Sequence, residues 1–195
     1  TMKFTLANII TLSRLFIAPI FLVCILSDSP SAVTAAIVLF IVGAATDWLD
    51  GYLARRYGEV TDHGIFLDPL ADKVLTTSAF VALFLIDVMP LWMVIVIVVR
   101  DFGTTAMRSI ADDRGTIMQT SYAAKVKTFL QMGFIIYALI LYWLVVAGPG
   151  DGARVTAHQT LYSTVTYYIE FGITLLTIYT AIMYIFTNRH LFSRG

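Results

Sequence analysis

Charged residues are scarce in this sequence. Only 13% of the 195 residues are Asp, Glu, Lys or Arg, whereas 58% are hydrophobic, and the mean hydropathy is +0.81. An average soluble domain carries roughly one-quarter charged residues. The composition therefore excludes an ordinary soluble domain and indicates a chain that resides in a lipid bilayer, as a single domain over residues 1–195.

Cysteine and histidine are also rare. Cys24 is the only cysteine, so an internal disulfide is excluded and a packing role in its apolar run is expected. His63, His158 and His190 are scattered and lack the spacing of zinc ligands. The formal net charge is zero. Overall charge therefore argues neither for nor against nucleic acid, and no nucleic-acid partner is expected.

Long apolar segments recur along the whole chain. Met89-Pro90 separates two of them, and the glycine-rich run 148–152 is typical of a turn. The sequence predicts an all-α polytopic membrane protein with six transmembrane helices. The predicted spans are residues 4–26, 31–57, 65–87, 90–112, 121–147 and 156–187.

Basic residues are distributed unevenly between the turns on the two sides of this six-span topology. Lysine and arginine are enriched on the cytoplasmic side of membrane proteins. The turns on one side hold Asp28, Asp87 and Asp151, with Arg154 as the only base. Both termini and the other turns are therefore predicted to face the cytoplasm. The bases that carry this prediction are Lys3, Arg55, Arg56, Arg114, Arg189 and Arg194.

Four carboxylates lie close together in the otherwise apolar stretch 47–72. Asp47 and Asp50 are three residues apart, and Asp68 and Asp72 are four apart, so each pair falls on one helix face, about 60° and about 40° apart. A short turn between the two helices would aim all four at one point, where they would repel one another unless cations neutralise them. Oxygen-only ligation favours hard divalent ions, and the sequence predicts a site for two Mg²⁺ or Mn²⁺ ions.

The same stretch resembles the signature of a known enzyme family. The pattern D-x2-D-G-x2-A-R-x8-G-x3-D-x3-D, from Asp47 to Asp72, is similar to that of the CDP-alcohol phosphotransferases, membrane enzymes of phospholipid synthesis. The resemblance implies that Asp47, Asp50, Asp68 and Asp72 ligate the metals and that Asp72 is also the general base. It further implies a CDP-binding site. The residues of that site are Asp50, Gly51, Ala54, Arg55 and Gly64.

A group of bases lies on the fourth and fifth predicted helices. Arg100, Thr104 and Arg108 are spaced four apart and share one helix face. Lys125 and Lys127 begin the next helix. Bases at this depth either bind a negative ligand or anchor the helices at the membrane surface, and both interpretations stay open. Acids and bases gathered at one depth favour a negative substrate that bridges metals and bases.

These bases also resemble the bacterial phosphatidylglycerophosphate synthase branch of the family. The resemblance implies that Arg100, Thr104, Arg108, Lys125 and Lys127 hold the phosphate of glycerol 3-phosphate. It also implies a homodimer in the bacterial inner membrane. The pattern of Asn8, Thr11 and Arg14 is similar to the amino-terminal pattern of this branch and adds Asn8 and Thr11 to the expected CDP site, although a membrane-surface anchor explains it equally well.

The expected reaction is transfer of the phosphatidyl group of CDP-diacylglycerol to glycerol 3-phosphate, with release of CMP. Sister enzymes that use inositol phosphate, serine or phosphatidylglycerol as acceptor are the nearest alternatives. A divalent-cation transporter and a catalytically silent scaffold are more distant ones. Lys73 is interpreted as a charge partner of the adjacent Asp72, and Glu170, a lone acid in the sixth span, is expected to have a polar neighbour.

Overall fold

The computed structural model describes the backbone of residues 6–57, 64–113 and 121–188, and the side chains of residues 13–46, 73–111 and 121–188. These residues form seven helices and no strand, so the all-α prediction is confirmed for them. The helices are α1 (Leu6–Ile25), α2 (Pro30–Tyr57), α3 (Gly64–Leu85), α4 (Leu91–Asp113), α5 (Tyr122–Ala147), α6 (Asp151–Leu161) and α7 (Thr164–Asn188).

The six long helices form a closed ring. α1 packs against α2 and α3, α3 packs against α4, and α4 packs against α7. α5 closes the ring because it contacts both α7 and α2, and α3 also reaches α2 and α5 across the middle. Much of the interior is apolar and contains aromatic rings such as Phe21 and Phe40, whose centroids lie 5.6 Å apart. α4 and α5 therefore both lie beside α3 and α7.

The outer surface of the ring is also apolar. Large hydrophobic side chains point away from the core with much of their area exposed, for example Val23 at 73% and Val165 at 68%. Two helices, Tyr122–Ala147 and Thr164–Asn188, are long and apolar enough to cross a membrane. A helical bundle in lipid exposes apolar side chains on its outer surface, as this ring does.

The helix ends that the structure describes agree with the sequence except in the sixth predicted span. That span was predicted as one helix over 156–187, and this prediction is wrong, because α6 ends at Leu161 and α7 begins at Thr164. The break is made by hydrogen bonds rather than by glycine or proline. The Ser163 hydroxyl caps the Thr166 amide at 3.2 Å, and the Tyr162 hydroxyl donates to the carbonyl of Ile86 at 2.8 Å. Neither residue is a helix breaker, so the sequence pattern gave no sign of the break.

The ends of α5 are defined by its own residues. The Ser121 side chain accepts a hydrogen bond from the Ala124 amide and caps the N-terminus. At the other end the Gly148 amide donates to the Leu144 carbonyl at 3.0 Å, and a Cβ on Gly148 would lie 2.3 Å from that oxygen. Only glycine fits there without a backbone shift, which fixes where the turn to α6 begins.

Candidate active site

The signature positions lie at the end of α2 and the beginning of α3. Asp47 and Asp50 are in the last turns of α2, and Asp68 and Asp72 are in the first turns of α3. Their side chains, like those of Asn8 and Thr11, lie outside the described residues. The ligand roles predicted for the four aspartates, and the CDP-binding roles predicted for their neighbours, stay predictions. The neighbours in question are Gly51, Ala54, Arg55 and Gly64.

α2 and α3 are in contact one turn away from the signature. A Cβ on Gly43 of α2 would lie 2.6 Å from Cδ2 of Leu75 of α3. Gly43 precedes Asp47 by four residues, and Leu75 follows Asp72 by three. This contact is compatible with two pairs of carboxylates that meet around metal ions. Among the residues with described side chains, no other group of three acids, histidines or cysteines has a geometry that could hold a metal.

A basic cavity of about 510 Å³ lies between α3, α4, α5 and α7. Its polar wall brings together residues from three helices, and it contains no carboxylate among the described lining residues. Phe129, Met132 and Tyr184 form the apolar part of the wall. The cavity is strongly electropositive and can accommodate a small dianion. The charged and threonine side chains that line it are Lys73, Arg100, Thr104, Thr105, Arg108, Lys125 and Thr128.

Four of the five residues predicted to bind the acceptor phosphate therefore lie around one cavity. Arg100, Thr104 and Arg108 come from one face of α4, as their spacing predicted, and Lys125 comes from the first turn of α5. Thr104 differs from the bases in its hydrogen bonding. Its hydroxyl donates to the Arg100 carbonyl at 3.0 Å, so in this rotamer its oxygen can only accept a bond from a ligand.

Arg100 is the most rigidly held base of the cavity. Its Nη1 donates to Oδ1 of Asp101 at 3.1 Å, and its Nη2 donates to Oγ1 of Thr180 at 3.2 Å. The side chain is 11% exposed, and its buried Nε has no acceptor among the described residues. A buried N–H without an acceptor is costly. Because one hydrogen also remains on each terminal nitrogen, the guanidinium presents a fork of donors suited to phosphate oxygens.

Lys127, the fifth residue predicted to bind phosphate, does not line the cavity. It is 1% exposed, and its Nζ donates to Oδ1 of Asp101 at 2.6 Å. Asp101 thus accepts hydrogen bonds from Lys127 and from Arg100. The alternative interpretation, in which Lys127 anchors the helix at the membrane surface, is wrong because the side chain is buried in an ion pair.

Lys73 lines the cavity, although its sequence position suggested only a charge partner for Asp72. The side chain belongs to α3, the helix that carries Asp68 and Asp72, so α3 connects the signature to the basic cavity. No sequence signal placed α3 beside α4 and α5, and this residue could not have been assigned to the cavity without the fold.

A buried polar face runs along α7. Its members recur every three or four residues, and three of them bond side chains of other helices. Thr177 accepts from Nε2 of Gln131 at 3.3 Å, Thr180 accepts from Arg100, and the Thr166 hydroxyl is hydrogen-bonded to the Tyr137 hydroxyl at 3.2 Å. Glu170 lies on this face and is 1% exposed, but neither of its carboxylate oxygens has a hydrogen-bond partner among the described residues. Glu170 does have the expected polar neighbour, because the Thr174 hydroxyl donates to its backbone carbonyl at 3.0 Å. The face consists of Thr166, Glu170, Thr174, Thr177, Thr180, Tyr184 and Asn188.

Comparison with known proteins agrees with this arrangement. The family model described as CDP-alcohol phosphatidyltransferase matches residues 4–187. A CDP-diacylglycerol–glycerol-3-phosphate 3-phosphatidyltransferase of Bacillus subtilis is 39% identical over 151 residues, which are 71% of this chain and 78% of that protein. A probable phosphatidylglycerophosphate synthase of Mycobacterium tuberculosis is 38% identical over 147 residues, 74% of this chain and 68% of the relative.

A third relative, named CDP-diacylglycerol–glycerol-3-phosphate 3-phosphatidyltransferase in Rickettsia bellii, is 34% identical over 139 residues, 70% of this chain and 75% of its own length. The match to the family model covers nearly the whole chain, including the signature and the helices that form the basic cavity. The resemblance found in the sequence is thereby confirmed, and the chain belongs to the CDP-alcohol phosphatidyltransferase family.

Proposed function

We propose that this protein transfers the phosphatidyl group of CDP-diacylglycerol to glycerol 3-phosphate, forming phosphatidylglycerophosphate and CMP. The acceptor assignment rests on the basic cavity of about 510 Å³. Four bases and no acid are among its described lining residues, and one of its walls is α3, the helix of Asp68 and Asp72. The relatives named for this reaction support the same assignment.

The charge of the acceptor explains why such a cavity is needed. Glycerol 3-phosphate carries close to two negative charges at neutral pH and has to approach a pyrophosphate. At an effective dielectric constant near 20, the repulsion amounts to several kcal/mol. Lys73, Arg100, Arg108 and Lys125 offset this repulsion at the acceptor end. A neutral acceptor such as serine would not need four bases, whereas inositol phosphate would.

The donor end of the site is assigned to the signature. Asp47, Asp50, Asp68 and Asp72 would hold two Mg²⁺ or Mn²⁺ ions, which would bind the pyrophosphate oxygens and stabilise the negative charge of the leaving CMP. Asp72 would accept the proton of the acceptor hydroxyl as it attacks the phosphorus on the lipid side. Asp72 directly precedes Lys73 in α3, which supports a general base close to a phosphate-bound acceptor.

The CDP moiety is assigned to the remaining signature residues. Gly51 and Ala54 are small, so a nucleotide can approach the α2 backbone closely. Arg55 is in the last turn of α2, and an arginine guanidinium is suited to a phosphate oxygen. Gly64 begins α3. The residues proposed for this site from α1 are Asn8 and Thr11.

The proposed setting is the bacterial inner membrane, with six crossings and with the site and both termini facing the cytoplasm. Each long helix has at least 20 residues, about the length that crosses a hydrocarbon core of ~30 Å. The exposed apolar side chains of the ring support contact with lipid. A homodimer is also proposed, and part of that exposed surface would then be covered by the second copy.

An acceptor panel tests the proposal. Purified protein in detergent, supplied with CDP-diacylglycerol and Mg²⁺ or Mn²⁺, should release CMP with glycerol 3-phosphate and much less with inositol phosphate, serine or phosphatidylglycerol. A preference for inositol phosphate would reassign the acceptor. Ion flux into vesicles without release of CMP would reject the enzyme in favour of a transporter.

A single substitution tests the general base. Asp72→Asn should reduce kcat at least about 100-fold while CDP-diacylglycerol still binds, because the amide cannot accept the proton and is a weaker metal ligand than the carboxylate. A variant with an unchanged kcat and a weaker affinity for the nucleotide would make Asp72 a ligand alone.

A further inference from the structure

An acid lies beside the phosphate-binding arginine. Asp101 is hydrogen-bonded to Arg100 at 3.1 Å, and its side chain is 14% exposed. A carboxylate in this position compensates the charge of Arg100 and repels an incoming dianion, so by itself it weakens a phosphate site. Its presence needs a physical explanation.

Lys127 provides one. Its ammonium lies 2.6 Å from the carboxylate oxygen that also accepts the bond from Arg100. The Arg100, Asp101 and Lys127 side chains, here called the Asp101 bridge, together keep one net positive charge. Without Lys127 the bridge would be neutral, and a buried carboxylate would be paired with Arg100 alone.

The Asp101 bridge also fixes the direction of the arginine. Asp101 holds Nη1 of Arg100, and Thr180 of α7 holds Nη2. Because both terminal nitrogens are bonded to the protein, the guanidinium keeps one orientation, and its unpartnered Nε belongs to a rigid group. Preorganised donors bind an anion better than mobile ones do, because less side-chain freedom is lost on binding.

We infer that Lys127 is a positioning residue for the acceptor phosphate that acts through Asp101, and that it does not touch the acceptor itself. This inference rests on the proposed function of the cavity. Two observations favour this indirect role over direct contact with the phosphate. Lys127 is 1% exposed, and it does not line the cavity, whereas Lys125, two residues earlier, does.

A cycle of substitutions distinguishes the two roles. Lys127→Met should raise the KM for glycerol 3-phosphate by at least about tenfold, because the Asp101 charge is then no longer compensated. The kcat and the KM for CDP-diacylglycerol should stay within about threefold. Adding Asp101→Asn to Lys127→Met should restore the KM to within about threefold of the wild-type value, since no uncompensated carboxylate then remains beside Arg100, whereas Asp101→Asn alone should change the KM by no more than about threefold.

Lys125→Met is the matched control, because Lys125 lines the cavity and has no contact with Asp101. It should raise the KM, and Asp101→Asn should change that KM by no more than about threefold. If Asp101→Asn changes the KM by the same factor in the wild-type and Lys127→Met backgrounds, Lys127 binds the phosphate directly and the inference is wrong. If Lys127→Met does not fold, the double variant decides: a near-wild-type KM supports the bridge, and a KM raised about tenfold overturns it.

A binding measurement separates this inference from the proposed function. Wild-type protein that transfers nothing to glycerol 3-phosphate would reject the proposed reaction. In that case the same variants are compared by the rise in their unfolding temperature when inorganic phosphate is added, a measurement that requires no turnover. Stabilisation lost in Lys127→Met and regained in the double variant supports the bridge, and stabilisation lost in both rejects it.

Discussion

Replacement of Arg100 is the most informative perturbation of the basic cavity. The side chain is 11% exposed, and two of its nitrogens are bonded to Asp101 and Thr180. Its Nε has no acceptor among the described residues. Arg100→Ala removes the donors proposed for the acceptor phosphate, and Arg100→Lys keeps the charge but loses the planar fork.

The size of the effect follows from the donors that remain available. A hydrogen bond to a charged group contributes about 1.5–3 kcal/mol, so two such bonds to a phosphate contribute about 3–6 kcal/mol. Water and the neighbouring bases of the cavity offset part of the loss, which leaves about 2–4 kcal/mol. At about 1.4 kcal/mol per factor of ten, the KM for glycerol 3-phosphate should rise roughly 30-fold to 700-fold in Arg100→Ala and about tenfold in Arg100→Lys.

The assay is release of CMP by purified variants in detergent, with one substrate varied and the other saturating. The KM for CDP-diacylglycerol should change by less than about threefold, because the arginine is assigned to the acceptor end. Arg154→Ala is the matched control: it removes an arginine from α6, whose Nε donates to the Gly148 carbonyl at the end of α5 opposite Lys125. It should leave both KM values unchanged.

Two results would refute this reasoning. If Arg100→Ala leaves the KM for glycerol 3-phosphate within about threefold of wild type, Arg100 does not bind the acceptor. If both KM values rise in parallel, the arginine serves the pyrophosphate or the fold as a whole. Thermal unfolding of each variant shows whether lost stability contributes.

Three further predictions concern the metals, the fold and the orientation. Asp68→Asn should abolish turnover and weaken Mn²⁺ binding with an unchanged unfolding temperature, and normal activity in this variant would reject the metal site. Gly148→Ala should cost about 1–3 kcal/mol of stability, because its Cβ would overlap the carbonyl one turn earlier; Gly152→Ala, whose Cβ meets nothing within 4 Å, should be neutral in the same unfolding measurement. In a protein without its native cysteine, a cysteine at position 58 should react with an impermeant reagent only from the cytoplasmic side and one at Asp151 only from outside, and the reverse pattern would invert the topology.

Most helix boundaries could be predicted from the sequence because they depend on local chemistry. Apolar runs of about 20 residues and the breaks at Met89-Pro90 and Gly148 locate α1 to α5 to within about two residues. The break between α6 and α7 could not be predicted, because it is made by a serine cap and by a contact between Tyr162 and the distant Ile86. Long-range hydrogen bonds leave no local pattern in a sequence.

For the site, the sequence by itself determined the family, the four signature aspartates and the shared face of Arg100, Thr104 and Arg108, since these depend on residue spacing along single helices. Only the tertiary structure decided which side chains from different helices meet. It added Lys73 to the cavity and separated Lys125, which lines it, from Lys127, which is buried against Asp101. Two lysines two residues apart on a helix point about 160° apart, and which of them meets the cavity is decided by the packing of α5 against its neighbours.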